Sequence, residues 1–235
     1  MAEDIYKDSW QLYKAHTESF CDDIEFYSKF IGHNKALELF AGFGRVTNRL
    51  LELGHDLETV EINASFAKFI NLSLEKNHIT DVLIFESGYK FKRIFAAYNS
   101  FCLFADEADI EKFFWRVGEL LEVGGKIALN YYHPNYWSEA ASSSFEFMGK
   151  KVDYLSSFNL SKRYTKRIGI WIDKFYIEDQ LFEHKYTTRV YEYEKELLPY
   201  LKKNQLRLDD VVNNFNKSEN EITEPGWIDF VLEKY

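Results

Sequence analysis

The stretch Ala36-Leu37-Glu38-Leu39-Phe40-Ala41-Gly42-Phe43-Gly44-Arg45 constrains this chain most: an apolar strand runs into a turn with two glycines, and a helix starts straight after it. Without a Cβ at those positions, backbone N–H groups can approach a ligand at the helix N-terminus. From Lys35 onward, short β-rich runs alternate with amphipathic segments. That is the α/β pattern, a parallel sheet covered by helices on both faces.

The expected strands are 36–40, 57–62, 82–85, 93–98 and 126–131, with helices over 45–53, 64–77 and 106–121. Asn63 reads as an N-cap, with Phe66, Phe69, Ile70 and Leu74 on one face of the helix it starts. Strand 93–98 is apolar after its first residue, so it belongs in mid-sheet. Beyond Pro134 the character changes: 145–193 is rich in aromatic and β-branched residues in approximate alternation, which reads as antiparallel strands. That alternation puts Tyr186 on the face opposite Tyr191 and Tyr193. A helix near 194–203 and strands near 206–215 and 227–233 return the chain to the main sheet, and 1–30 looks helical. The expected organisation is a helical cap over 1–34, a ligand-binding core over 35–144, an antiparallel β insertion over 145–193 and completing elements over 194–235.

At 235 residues, against about 150 per domain, the chain is one domain with an elaboration. No apolar run approaches the roughly 20 residues of a bilayer span, and a formal charge of -9 opposes phosphate neutralisation, so neither membrane nor nucleic acid is an expected partner. No basic segment followed by an apolar core opens the sequence, which makes the cytoplasm the expected compartment. Cys21 and Cys102 form no CxxC pair, and His16, His33, His55, His78 and His184 show no ligand spacing. Neither a disulfide framework nor a metal is expected, and these histidines read as surface or cap residues. Aromatic residues make up 18% of the chain, more than a core needs, so some are expected to line a pocket.

Glu61 closes the second expected strand, where a carboxylate can accept both hydroxyl hydrogens of an adenosine ribose. Dinucleotide enzymes share that geometry but want a third glycine where Thr47 stands. Glu38, four residues before Gly42, would repel a pyrophosphate and favour the cationic amino-acid and sulfonium end of S-adenosylmethionine.

The string resembles the ExxxGxG motif of class I S-adenosylmethionine-dependent methyltransferases. The resemblance continues through Glu61, Glu86, Tyr98-Asn99-Ser100-Phe101 and Leu121-Glu122-Val123-Gly124-Gly125, over residues 6–131. It implies a Rossmann-like, seven-stranded, mostly parallel sheet of order 3-2-1-4-5-7-6, with its last strand antiparallel, flanked by helices and binding S-adenosyl-L-methionine. By the same resemblance Glu38, Ala41, Gly42 and Gly44 position the methionine moiety, Glu61 takes the ribose hydroxyls and Ile62 flanks adenine. Glu86-Ser87 stands where family members often carry Asp and an apolar residue near the adenine amine. Tyr98 joins this edge, and Tyr6 or Tyr13 would close over the cofactor carboxylate, unless Tyr6, Trp10 and Tyr13 form only a packing stripe.

The aromatic antiparallel insertion resembles the lid of glycine and amino-sugar N-methylating enzymes, which implies a small-molecule acceptor methylated on nitrogen or oxygen. The amino-sugar enzymes' histidine after the fourth strand is missing, because Ser100-Phe101-Cys102-Leu103 occupies that segment. The proline pair of nucleic-acid amino-methyltransferases is missing there too. His133, just after the fifth strand, is the substitute base, with Tyr98 and Asn99 to orient a nucleophile; a plain loop turn at His133-Pro134 is the alternative. Tyr132, Tyr136, Trp137 and Trp171 are candidates to hold the acceptor, with about 0.5–2 kcal/mol of cation–π attraction for a cation, or else to pack in core or dimer contacts. The basic run Lys162-Arg163-Tyr164-Thr165-Lys166-Arg167 reads as solvated edge protection. An NAD(P)-dependent oxidoreductase and a cofactor-binding regulatory protein without chemistry stay open as other readings, and exposed aromatic strands point to a homodimer.

Overall fold

A computed structural model describes residues 10–132, 141–160, 168–191, 193–215, 217–219 and 227–235. Strand β1 (Ala36–Leu39) is buried along its whole length because it lies between two parallel neighbours, β2 (Leu57–Glu61) and β4 (Phe91–Ala96). β3 (Asn77–Ile79) continues the parallel sheet beyond β2, and β5 (Leu121–Tyr132) continues it beyond β4. β12 (Trp227–Lys234) pairs antiparallel with β5, β10 (Leu206–Asn213) with β12, and β11 (Lys217–Glu219) with β10. The order is therefore 3-2-1-4-5-12-10-11. β12 and β10 stand at the places expected for a seventh and a sixth strand, and the difference from the expected order is β11, an eighth strand at the edge.

Alternation along the central strands divides the core into two layers. Leu37, Leu39, Ile94 and Ile127 pack with α5 (Glu107–Leu120), whose Ile110, Phe113, Phe114 and Val117 recur at the spacing of one helical face. Asp106 starts that helix as an N-cap, its side chain accepting the Ala108 N–H at 2.7 Å. Ala36, Leu57, Phe95 and Ala128 face the other way, onto Tyr27 and Ile31 of α2 (Ile24–Ile31) and Val46 and Leu50 of α3 (Arg45–Glu52). Glu38, Thr59 and Asn130 are buried polar groups on this second face.

Two expected elements are displaced. The helix expected over 64–77 is only α4 (Ala64–Ala67), with Asn63 as its N-cap. The Asn48 side chain donates to the Phe69 C=O at 3.0 Å and accepts the Asn71 N–H at 2.9 Å, which captures backbone groups that a longer helix would need. Leu74 is consequently 83% exposed rather than on a buried face. The third strand is then 77–79, and the strand expected over 82–85 is absent, with a turn at 82–84 in its place. The fourth strand ends at Ala96, ahead of Tyr98 and Asn99, whose φ values of 54° and 59° no strand accommodates.

A second, four-stranded antiparallel sheet follows, made of β6 (Ala141–Phe147), β7 (Lys150–Leu160), β8 (Ile168–Ile177) and β9 (Gln180–Arg189) in that order. β9 stops before Tyr191, so the alternation expected through Tyr193 breaks: the Tyr191 ring stacks on Phe101 at 4.8 Å, in the main core. At the N-terminal side the described helical segments are α1 (Trp10–Thr17), which lies against β6, and α2. No described helix is long and apolar enough to cross a membrane.

Candidate functional site

The turn after β1 is bent by three positive φ angles, at Phe40 (58°), Gly42 (58°) and Gly44 (79°). A Cβ on Gly42 would meet nothing within 4 Å, so that position faces open space, whereas one on Gly44 would come within 3.0 Å of Ile70 Cγ1 and 3.1 Å of the Asn48 amide. Ala41 is buried, its N–H donating to the Val60 C=O at 3.1 Å. Glu61, 7% exposed at the end of β2, ties the two strand ends together: Oε2 accepts the Gly42 N–H at 2.7 Å and Oε1 the Asn63 N–H at 2.8 Å.

Glu38 lies below this turn, 2% exposed, and accepts a hydrogen bond from the Thr47 hydroxyl. Thr47, where a dinucleotide site needs glycine, thus serves the carboxyl group. Burial pushes the Glu38 pKa up to about 8, against the opposing pull of the Thr47 hydrogen bond and the Arg45 charge. Arg45 at the start of α3 forks onto Asp23, with N–O distances of 2.8 and 2.6 Å, and donates to the Phe20 C=O at 2.9 Å. Because the folded pKa of Glu38 exceeds its unfolded value of 4.5, its stabilising contribution is complete below about pH 4.5 and is lost as pH rises through about 8. Glu38→Gln, which mimics the protonated form, should match the wild type near pH 5 and exceed it at pH 9 by on the order of a few kcal/mol in the ligand-free protein. Melting curves at pH 5, 7 and 9 check this, and a gap that does not widen with pH contradicts it.

The neighbouring strand ends form a second wall. Tyr98 stacks on Trp227 at 5.3 Å, with the Arg45 guanidinium 5.2 Å from its ring centroid. The Asn99 N–H donates to Asn130 Oδ1 at 3.0 Å, Asn130 Nδ2 donates to Asp229 Oδ2 at 3.1 Å, and the Tyr27 hydroxyl donates to Asp229 Oδ1 at 3.0 Å. Burial pushes the Asp229 pKa up to about 7, with the Asn130 and Tyr27 hydrogen bonds pulling it back. Each non-glycine residue held at positive φ costs on the order of 1–3 kcal/mol, and this network holds Asn99 in place. Sequence reasoning missed Asn130, Asp229 and Tyr27. The available signal is that Asn130 and Asp229 are single polar residues inside the apolar runs 127–131 and 228–232.

Of the other expected site residues, Ile62 follows Glu61 with its side chain exposed. Glu86 and Ser87 do not follow the third strand. That strand ends at Ile79, so Thr80-Asp81-Val82 occupies the place after it, and Glu86 is exposed beside Arg116 of α5, 3.5 Å away. Tyr13 of α1 sets its ring 6.0 Å from that of Phe43 in the glycine turn. Burial, then the Tyr98 phenol and the Asp173 carboxylate, push the Tyr13 pKa up, so it remains a neutral hydroxyl. Trp171 of β8 donates Nε1–H to Asp173 Oδ1 at 2.8 Å. Tyr132 ends β5 opposite Trp227. Tyr6, His133, Tyr136, Trp137 and the basic run 162–167 lie outside the described residues. His16 is not a surface residue as expected: it is half-buried, its ring lies tilted against that of Tyr154 at 3.9 Å, and Nε2 lies 3.2 Å from Ser143 Oγ.

No family model matches the chain, and no curated protein matches it in sequence. Solved structures match its fold. An S-adenosylmethionine-dependent methyltransferase from Clostridium acetobutylicum is similar over 97% of this chain and 98% of its own, with 17% identity and a TM-score of 0.74. The sugar N-methyltransferase KedS8 from a Streptoalloteichus species aligns over 95% and 91%, with 17% identity and a TM-score of 0.74. CalS10, an amino pentose methyltransferase from Micromonospora echinaspora, aligns over 100% of both chains, with 12% identity and a TM-score of 0.73. The second sheet is therefore part of a fold shared end to end with these proteins.

Proposed function

We propose that the chain transfers a methyl group from S-adenosylmethionine to a nitrogen, or an oxygen, of a small-molecule acceptor. The observation that carries this reading is the pair of buried carboxyl groups at the glycine turn, Glu38 below it and Glu61 beside it. The donor set fits the cofactor. Glu61 has two oxygens placed for a vicinal diol, Gly42 leaves the backbone open to a ligand, and Glu38 suits a cationic amino-acid end rather than a pyrophosphate. Glu38, Ala41, Gly42 and Gly44 would hold the methionine part, Glu61 the ribose, and Ile62 one side of adenine. Asp81 and Val82 replace Glu86 and Ser87 beside the adenine amine, since they follow β3.

When bound, S-adenosylmethionine supplies an electrophilic methyl carbon, which an acceptor lone pair takes as the carbon–sulfur bond breaks and its electrons stay on sulfur. The chain's own work is to hold, orient and dry the reactants, which provides much of the rate in such a displacement. Tyr13 stands between the glycine turn and the second sheet, where a neutral hydroxyl can close over the cofactor carboxylate. Tyr98 and Asn99 sit at the β4 end, the usual ligand edge of an open α/β sheet, to orient the acceptor, with His133 as the candidate base. Trp171 is assigned to the acceptor side, under the second sheet as a lid, and Tyr132, Tyr136 and Trp137 stay candidates to hold the acceptor.

Calorimetric titration with S-adenosylhomocysteine beside NADH tests the reading. Micromolar binding of the former alone is expected. Binding of NADH alone overturns it in favour of an oxidoreductase, and binding of S-adenosylhomocysteine with no turnover across a broad panel of amines and alcohols points to a protein that kept the pocket without the chemistry.

A further inference from the structure

The chain leaves β4 through a turn whose backbone one of its residues resists. The Ser100 N–H reaches the Ala97 C=O at 3.3 Å and the Ser100 hydroxyl donates to the same oxygen at 2.9 Å, which puts Tyr98 and Asn99 at the two central positions, with φ of 54° and 59°. Turns of that hand favour Gly, Asn or Asp at both positions, and a tyrosine stays there only when its surroundings over-determine it. Strand β12 supplies both restraints from one face. Trp227 stacks on Tyr98 at 5.3 Å, and Asp229, two residues on, reaches Asn99 through Asn130, its direct neighbour across the β5–β12 pairing.

This relay has a direction. Asp229 and Asn130 are each 0% exposed. An ionised carboxylate only accepts hydrogen bonds, so the Asn130 NH2 group must face Asp229, at 3.1 Å, and its carbonyl oxygen must face the Asn99 N–H, at 3.0 Å. The Tyr27 hydroxyl, at 3.0 Å, holds the other Asp229 oxygen. Replacing both members of a buried hydrogen-bonded pair by apolar side chains of the same shape is nearly neutral for stability. What an apolar pair could not supply is the acceptor for Asn99. Tyr98 and Asn99 are half-buried at the carboxyl end of β4, and after burial the Tyr98 phenol contributes most to raising the pKa of Tyr13, whose ring meets the glycine turn. The strained turn and the glycine turn therefore face the same space.

We propose that Asp229 is a positioning residue for methyl transfer: through Asn130 it fixes the Asn99 peptide and, with Trp227, sets where Tyr98 and Asn99 stand against the transferring methyl group. The proposal rests on the methyl-transfer reading and extends it to a pair of residues buried behind the ligand edge.

The test uses the full chain and two cofactor analogues. Sinefungin carries an amine on carbon where the cofactor carries its methyl on sulfur, so it probes that edge, and S-adenosylhomocysteine, which has neither, is the reference. In isotope-labelled wild-type protein at pH 8, the NMR signals of the Asn99 amide and the Asn130 NH2 group are expected to differ between the two complexes; identical signals overturn the proposal, and this comparison needs no variant. Asn130→Leu removes the acceptor for Asn99, and the ratio of sinefungin to S-adenosylhomocysteine affinity, read by calorimetry, should fall about tenfold. Asn130→Asp sets two carboxyl groups against each other and should lower the ratio as well. Adding Asp229→Asn to it exchanges the two groups and rebuilds every hydrogen bond of the relay, so the double variant should return to within about threefold of the wild-type ratio. A merely structural role would move the melting temperature and leave the ratio alone. An unchanged ratio in folded Asn130→Leu, or a folded double variant that does not recover, overturns the proposal and leaves the methyl-transfer reading standing. Failure of both analogues to bind the wild type overturns that reading, and the proposal with it.

Discussion

Glu61→Gln should weaken S-adenosylhomocysteine binding about a hundredfold, because the variant gives up a charged acceptor for two ribose hydroxyls. Hydrogen bonds to a charged group contribute about 1.5–3 kcal/mol each, and a hundredfold loss corresponds to about 2.8 kcal/mol. The variant also turns an NH2 group toward either the Gly42 or the Asn63 N–H, both of which Glu61 now accepts at 2.7 and 2.8 Å. Two donors then face each other in a nearly dry site, so stability should fall by about 1–3 kcal/mol as well. Calorimetry and melting curves on the same sample separate the two effects. Unchanged affinity would remove Glu61 from the cofactor site.

The second large effect contrasts two glycines in one turn. At Gly44, a Val side chain must adopt φ near 79° and bring its Cβ to 3.0 Å from Ile70 Cγ1 and 3.1 Å from the Asn48 amide. β-branched residues scarcely visit that region, and Asn48 also holds Phe69 and Asn71, so Gly44→Val should lower the melting temperature and abolish S-adenosylhomocysteine binding together. Gly42→Ala places its Cβ in open space at φ 58°, which costs only about 1–2 kcal/mol, yet the added methyl group fills ligand space. Its binding should fall by about tenfold or more with the fold intact. A Gly42→Ala variant that binds normally would show that the ligand does not approach the backbone there.

Features carried by local order were legible in the sequence. The turn over Ala41-Gly42-Phe43-Gly44 needs only neighbouring residues to declare itself, and Glu38 and Glu61 follow from strand ends on either side of it. The antiparallel sheet was legible from period-two alternation. Glu86 was misplaced because a three-residue strand has too little pattern to register, and because the Asn48 amide ends α4 from another helix. The chain from Asn99 through Asn130 and Asp229 to Tyr27 joins the turn after β4 to β5, β12 and α2, and only Asn130 and Asp229 stand out locally, each as the one polar side chain in an apolar run. His16 and Asp173 meet the same site only after the second sheet folds against α1, a long-range event that no local spacing encodes.

The pairing of β12 with β5 sets a timetable for synthesis. Residues 126–132 find their partners at 227–233, after every strand of the second sheet has been made. At about 5–20 residues per second, the central strand β5 presents an open edge for on the order of ten seconds, beside freshly made β strands that could pair with it wrongly. Asp229 arrives with that late strand, and with it the hydrogen bonds that anchor Asn130 and Tyr27. Residues of the glycine turn are thus made early and the wall that includes Asp229 closes late, so slowing translation between 133 and 226 should favour misassembly of the sheet more than damage to the glycine turn.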